Sequence, residues 1–256
     1  MVGSEIHRDL VSLGVPLIFV GDHGQLEPVG SGGFNLMTAP DITLETIHRN
    51  AGEIARFANH LRQGHDAKDW AYAKTQWMLD EQAAARSADH GDGQVEVVEA
   101  IDGVDIAAID QMICAFNYTR VAVNRTVREE LGFDADKPVV GDRIMCLQND
   151  CRAMVFNGMQ GELVAINGHS LTFTNGLDRF TVRHTLAGFN SQKKIDYQRG
   201  VVPFDYAYCV TCHKAQGDEW DHVLVLEQKC GKWDMKRWNY TAASRARKKL
   251  TWVLAS

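Results

Sequence analysis

The sequence predicts an α/β fold: a mostly parallel sheet alternating with helices, interrupted by a small antiparallel barrel. Three observations predict it. Short unbroken apolar runs, such as residues 15–20, 112–116 and 222–226, read as strands buried on both faces, the mark of a parallel sheet. Amphipathic helical patterns lie among them. From about residue 139 to 185 the rhythm changes to short strand candidates whose intervals hold Asn-Gly at 167–168 and 175–176, a strong hairpin signal.

The elements follow in order. Val15-Pro-Leu-Ile-Phe-Val20 is a strand candidate that ends at Gly21-Asp22, so it empties into a loop at its C-terminal edge. Open α/β sheets hold their ligands at that edge. Residues 51–64 place Ile54, Phe57, Ala58 and Leu61 at helical spacing and stop at Gly64. Residues 65–93 are polar and read as irregular. Met112-Ile-Cys-Ala-Phe116 is a second buried strand, running through Asn117-Tyr-Thr119 into a helix with Val123, Val127 and Leu131 on one face, closed by Gly132. Residues 161–166, 170–174 and 177–182 are the barrel strands. The α/β pattern resumes with Asp205 to Val210 and His222 to Leu226. A helix over Asn239 to Arg247 and a last strand, Leu250 to Leu254, follow.

Composition bounds the function classes. The 256 residues suffice for one large domain or two modest ones. With 45% apolar and 23% charged residues, the chain reads as an ordinary globular protein. No apolar stretch of about 18 residues occurs, and the N-terminus has no signal-peptide core, so the expected location is the cytoplasm, with no membrane partner. Six cysteines in a chain of this length fit reduced thiols better than a disulfide framework. The net charge is −6, yet residues 229–249 hold eight Lys or Arg and one acid, Asp234. That run is either a solvated helix face or a phosphate-contacting patch.

Four segments carry chemistry, and their order matters more than any one of them. They are Gly21-Asp-His-Gly-Gln-Leu-Glu-Pro-Val29, Leu44-Glu-Thr-Ile-His-Arg49, Thr211-Cys-His-Lys-Ala-Gln-Gly-Asp-Glu219 and Tyr240-Thr-Ala-Ala-Ser-Arg-Ala246. In this order the set resembles motifs III, IV, V and VI of superfamily 1 helicases, most closely the RecD-like (exonuclease V alpha-subunit) branch. Asn117-Tyr-Thr-Arg-Val-Ala-Val-Asn124 is similar to an Asn-containing segment of that branch's second motor domain. Gly141-Asp-Arg-Ile-Met145 with Phe156-Asn-Gly-Met-Gln-Gly161 resembles the start of its SH3-like insertion. The resemblance covers essentially the whole chain.

It implies a RecA-like (P-loop NTPase-type) α/β architecture. Residues 1–43 would be a remnant of a first RecA-like motor domain, 44–138 and 203–256 the second, and 139–202 an inserted SH3-like barrel with its linker. The implied activity is ATP-dependent DNA unwinding, with 5′ to 3′ movement along single-stranded DNA. Phosphoryl transfer asks a protein for positioning and charge neutralisation more than covalent chemistry. By resemblance, Arg49 and Arg245 are the arginines that reach the γ-phosphate, and Gln25 senses it. Asp22 shapes its loop, and Gly217 and Glu219 lie near the nucleotide. Thr211, His213, Asn117 and Thr119 resemble positions that touch the strand, where hydroxyl, amide and imidazole groups hold register without reading sequence. Glu27 stands where Pro is frequent and adds a negative charge near the DNA path; Ser244 stands where Thr is frequent.

Two other chemistries compete locally. Cys209-Val-Thr-Cys-His213 fits the c-type haem pattern, and Cys209, Cys212, His213 and Cys230 together give a zinc-like ligand count. The same residues are explained by a strand running into Thr-x-His, so no metal site is expected.

The sequence contains no Gly-x-x-x-x-Gly-Lys-[Ser/Thr] and no apolar strand ending in Asp-Glu; its single Gly-Lys pair, Gly231-Lys232, precedes Trp233. In the family those motifs hold ATP and Mg²⁺ and precede the Gly-Asp-x-x-Gln segment. The resemblance therefore implies a missing N-terminal motor half, in the same gene or a separate chain, and no ATP turnover by this chain alone. The rival reading is a non-catalytic module that binds single-stranded nucleic acid.

Overall fold

The computed structural model describes residues 2–27, 35–43, 52–84, 93–133, 137–193, 195–196 and 198–255. The segment Leu44–Arg49, and with it the predicted arginine Arg49, lies outside the described residues, as do Pro28 and Val29.

Five strands form one parallel sheet: β1 (Gln94–Val98), β2 (Gln111–Cys114), β8 (Cys209–Thr211), β9 (Trp220–Leu226) and β10 (Ala246–Val253), in the order β1-β10-β9-β2-β8. Every pairing is parallel, which is why β9 reads as the unbroken run His222-Val-Leu-Val-Leu226: both faces are covered. Val223 and Val225 face one core with Ile113, Leu250 and Trp252; Leu224 faces the other with Met112 and Cys114.

Helices α2 (Gly52–Gln63) and α5 (Met235–Ala243) cover the first face. The i, i+3, i+4, i+7 set Ile54, Phe57, Ala58 and Leu61 is the buried stripe of α2. Helix α4 (Asn117–Glu130) covers the second face, with a largely polar stripe. It buries Arg120, Asn124 and Arg128 beside Val127, while the predicted Leu131 is half exposed. Asn124 explains the inversion: its amide accepts from Cys209 N at 2.8 Å and donates to the carbonyls of Cys209 and Tyr206, pairing groups that no strand neighbour reaches.

The inserted unit is a closed five-stranded barrel: β3 (Arg143–Cys146), β4 (Gln160–Asn167), β5 (Ser170–Thr174), β6 (Arg179–Thr185) and β7 (Val202–Tyr206). Asn167-Gly168 turns β4 into β5, and Asn175-Gly176 opens the turn into β6, with both glycines at positive φ. Leu163, Leu171, Phe173, Val182 and Phe204 fill its interior. Its last strand is a correction to the sequence reading. Residues 205–206 belong to β7, which pairs with β3 and β6, so the parallel sheet resumes at Cys209.

Three further expectations are corrected. No strand forms at residues 15–20; the sheet offers that run no neighbour, and Ile18 and Val20 are 92% and 89% exposed. The preceding helix α1 (Ser4–Ser12) likewise buries no residue. Within 65–93, where irregular chain was expected, α3 (Trp70–Ala84) forms, a run rich in good helix formers and free of Gly and Pro, anchored by Trp70 Nε1 donating to Glu53 and by Lys74 against Glu53 at 2.8 Å. Finally, α5 ends at Ala243 and β10 begins at Ala246, so Ser244 and Arg245 form the turn between them. Arg245's carbonyl accepts from Trp220 N and ties that turn to β9.

Candidate functional site

The loop after the exposed run is built around Asp22. One carboxylate oxygen accepts from Gly24 N at 2.8 Å; the other accepts from the Tyr240 hydroxyl at 2.7 Å and from Gln25 Nε2 at 3.3 Å. This is an Asx-type turn whose aspartate is also held from outside the loop. Burial alone raises an acid's pKa, yet here the Tyr240 and Gly24 hydrogen bonds and the nearby Arg62 outweigh it and hold Asp22 below the usual carboxylate value. Arg62, from α2, lies over the Tyr240 ring at 5.2 Å and meets His23 Nε2 at 3.0 Å. A side chain at Gly24 would crowd Arg62 and Tyr240, with a Cβ 2.9 Å from the guanidinium.

The same loop docks on α5. Leu26 N donates to the Thr241 hydroxyl at 2.9 Å, and Leu26 O accepts from Gln216 Nε2 at 3.0 Å. Glu27 pairs with Arg237 and accepts from Asn35, and the Arg237 contact holds its carboxyl below the ordinary value. Its negative charge is therefore matched by a cation of α5.

Arg245, in the turn that follows α5, is 2% exposed. Its Nε donates to Thr241 O at 3.0 Å, Nη1 to Asp218 O at 3.2 Å and Nη2 to Ser244 Oγ at 2.9 Å. Thr241 thus joins the two segments, its hydroxyl to the 22–27 loop and its carbonyl to Arg245. Gly217 has φ +99°, which favours glycine, and is exposed. Glu219 faces Arg247 at 3.8 Å. Burial raises the Asp218 carboxyl, opposed by the charge of Arg245. The structure thus gathers Asp22, Gln25, Gly217 and Arg245 around the end of α5. Tyr240, Thr241, Gln216 and Arg62 complete the arrangement without having been singled out, although Tyr240-Thr241 stood inside a quoted motif.

A cleft of about 1610 Å³ separates the sheet's C-terminal edge from the barrel. Asn117, Thr211, His213 and the loop Gln216–Glu219 line its sheet side; Phe156, Asn157 and Gln160 line its barrel side. Lys214 spans the two by hydrogen bonding to Asn157. Arg120 on the sheet side pairs with Asp205 of β7 and donates to Ser191 O at 2.6 Å. Thr119 does not line the cleft; its hydroxyl accepts from Gln228 Nε2 at 2.7 Å, and Gln228 in turn accepts from Ala115 N, joining the exits of β2 and β9. Burial lowers the pKa of both His213 and Lys214. A His pushed below its ordinary value is a neutral imidazole at pH 7, able to donate through one nitrogen and accept through the other.

The residues of the competing metal patterns do not converge. Cys209 packs in the core beneath α4 and Cys212 in the core beneath α5, on opposite faces of the sheet. Among the described residues no cluster of three or more His, Cys, Asp or Glu could hold a metal ion. Half of the basic run is paired with acids: Arg237 with Glu27, Arg247 and Lys248 with Asp221, and Lys249 with Glu96. Among the described residues, no helix is long and apolar enough to cross a membrane.

Residues 206–253 match the UvrD-like helicase C-terminal domain. Two conjugal transfer proteins TraA, from Rhizobium radiobacter and Agrobacterium fabrum, are each 27% identical to this chain, over 84% and 85% of its length and 20% of theirs. The chain thus spans about a fifth of the length of these curated relatives. Among solved structures, that of two coordinating Pif1 helicases at forked double-stranded DNA superposes with a TM-score of 0.50 at 18% identity, covering 80% of this chain and 48% of that one. That likeness is one of fold: mixed α/β with a parallel sheet.

Proposed function

We propose that this chain is the nucleotide-sensing and strand-gripping part of an ATP-dependent DNA helicase of superfamily 1, of the RecD-like branch. In this reading residues 1–43 are a remnant of the first RecA-like domain, 44–138 and the chain after the barrel form the second, and the SH3-like insertion with its linker, expected over 139–202, extends through β7 to Tyr206. The observation that carries the reading is the convergence of the 22–27 and 211–219 segments on one turn of α5, next to Arg245.

In the complete enzyme, ATP with Mg²⁺ supplies the free energy for movement. Arg245, with Arg49, would grip the far phosphate: a guanidinium that now donates to the neutral Asp218 carbonyl would gain a stronger, charge-assisted bond there. Gln25 would sense the same phosphate through a loop whose shape Asp22 sets, and Gly217 and Glu219 would border the nucleotide. Since Leu26 and Arg245 are both bonded to Thr241, a shift of either is felt by the other. The 211–219 segment continues into the cleft, where Asn117, Thr211 and His213 would hold phosphates and sugars, with Thr119 setting the position of Asn117's helix. Movement from 5′ to 3′ follows from the RecD-like resemblance. The exposed run at 15–20 would be covered by the missing N-terminal motor half. That half would also bring the phosphate loop and the Mg²⁺-holding carboxylates, which this sequence does not contain.

The test is binding of a fluorescent oligothymidylate by the purified chain across a salt series. The expected result is an affinity that falls linearly on a log–log plot with salt and weakens in His213→Ala and Asn117→Ala. No binding at low salt would sink the reading. DNA-stimulated ATP turnover by the same preparation, lost in Arg245→Ala, would overturn its claim that the chain alone is inactive.

A further inference from the structure

Beside the cleft, aromatic rings form a continuous row. Phe116 and Tyr118, on either side of Asn117, stack with centroids 5.2 Å apart and planes 11° from parallel. Phe116 also meets Trp233 at 5.4 Å, and Trp233 meets the His213 ring edge-on at 5.8 Å. The row therefore runs from Tyr118, 56% exposed, to a residue that lines the cleft. Phe116 and Trp233 are half-buried against the core beneath α5 and are fixed in place. Tyr118 adds nothing to that core.

The surroundings indicate what an exposed ring here would meet. Lys229 and Lys232, just ahead of Trp233, are exposed and have no acidic partner among the described residues, unlike Arg237, Arg247, Lys248 and Lys249 further along the basic run. Rigid rings beside unneutralised cations, next to amide and imidazole donors, match the make-up of surfaces that hold single strands: bases stack on the rings while cations meet the phosphates. A duplex keeps its bases stacked on one another, so a ring platform takes only bases that are already unpaired.

We propose that Tyr118 is a stacking platform for a nucleobase of single-stranded DNA, backed by Phe116 and Trp233. This rests on the strand-binding reading above and deepens it, since the contacts assigned there are to phosphate and sugar. It places the bases on the Tyr118 side and the backbone along Asn117 and His213.

The test uses the whole chain, with an oligothymidylate and a strand of equal length carrying abasic sites, at one salt concentration. The expected results are roughly tenfold weaker binding of the abasic strand and a roughly tenfold loss for oligothymidylate in Tyr118→Ala. That variant should bind the abasic strand as wild type does, and Tyr118→Phe, which keeps the ring, should bind both strands as wild type does. Equal wild-type affinity for the two strands would overturn the proposal while leaving the strand-binding reading intact. So would a Tyr118→Ala loss of the same size on both. Binding of neither strand would overturn both.

Discussion

Tyr240 and Asp22, 218 residues apart in sequence, are joined by a hydrogen bond of 2.7 Å from phenol to carboxylate. The bond fastens the 22–27 loop to α5 and sets the ionisation of both groups in opposite directions. Burial first, then the hydrogen bond to Asp22 and its charge, raise the Tyr240 phenol to about 12, while Asp22 is held below its ordinary value.

The pH dependence follows from those directions. A raised phenol pKa contributes stability that is complete below about pH 10 and is lost as pH climbs through about 12. A lowered carboxyl contributes stability that is complete above about pH 4 and is lost as pH falls below it. Tyr240→Phe should flatten the alkaline limb and cost about 1–2 kcal/mol at neutral pH, because it removes a bond to a charged acceptor. Urea unfolding between pH 3 and 12 measures both limbs. An alkaline limb unchanged by the substitution would show that Tyr240 does not titrate with the fold.

A second pair bolts the barrel to the sheet. Arg128 donates to both oxygens of Asp142, at 2.8 and 3.0 Å, and lies 4.0 Å over the Tyr206 ring; Asp142 also accepts from Tyr208 Oη and Val139 N. Both side chains are fully buried. Removing one leaves a buried charge without its counterion, so Asp142→Asn and Arg128→Met are each expected to cost about 3–5 kcal/mol, and the double variant less than their sum. A double-mutant cycle in urea checks it; additive costs would show that the two side chains are not coupled.

Much of this was legible from residue patterns, for identifiable reasons. Strands β2 and β9 were readable because covering a parallel strand on both faces requires an unbroken apolar run, and α2 because one apolar stripe suffices to dock it. The Asn-Gly pairs marked the barrel hairpins because they supply the positive φ that such turns need. Helix α3 was not readable, since its apolar residues are spread round the helix without a single face. The run at 15–20 was misread because an apolar stretch states what a segment can bury against, not whether a neighbour is present. Helix α4 buries arginines and an asparagine that serve distant backbone groups, a demand that no periodicity reveals. The segments of the candidate site stood out as motifs, but the residues that join them, Tyr240 and Thr241, do so through bonds with the 22–27 loop more than 200 positions earlier in the chain.

The barrel makes a steric prediction. A Cβ on Gly161 would stand 2.3 Å from the Thr174 carbonyl oxygen and 2.7 Å from the Phe173 ring. The oxygen belongs to the paired strand β5 and cannot move without opening the β4–β5 ladder. Gly161→Ala should therefore cost about 1–3 kcal/mol by overpacking. Gly231→Ala, where nothing lies within 4 Å, should stay within about 0.5 kcal/mol of wild type. Thermal melts of the two variants decide it, and equal melting temperatures would contradict the barrel register.

The last prediction separates two jobs that fall on one arginine. Arg245 is buried and donates to Thr241 O, Asp218 O and Ser244 Oγ, so it holds the α5–β10 turn whatever it does to a phosphate. Arg245→Ala takes the donor from Asp218 O and Ser244 Oγ, leaves Thr241 O only the Ser244 hydroxyl, and is expected to cost about 2–4 kcal/mol. Arg245→Lys can reach one of them but cannot fork across three, so it should fall between Ala and wild type. Gln25→Ala loses only a 3.3 Å bond at a half-buried loop and should cost less than about 1 kcal/mol. Urea midpoints should therefore descend from wild type and Gln25→Ala through Arg245→Lys to Arg245→Ala. If Arg245→Ala unfolds with the wild type, the guanidinium contributes nothing to the turn, and its three internal bonds are no obstacle to reaching a phosphate. If the midpoints follow the stated order, a loss of activity in Arg245→Ala reports stability as well as chemistry, and Gln25→Ala becomes the cleaner probe of nucleotide sensing.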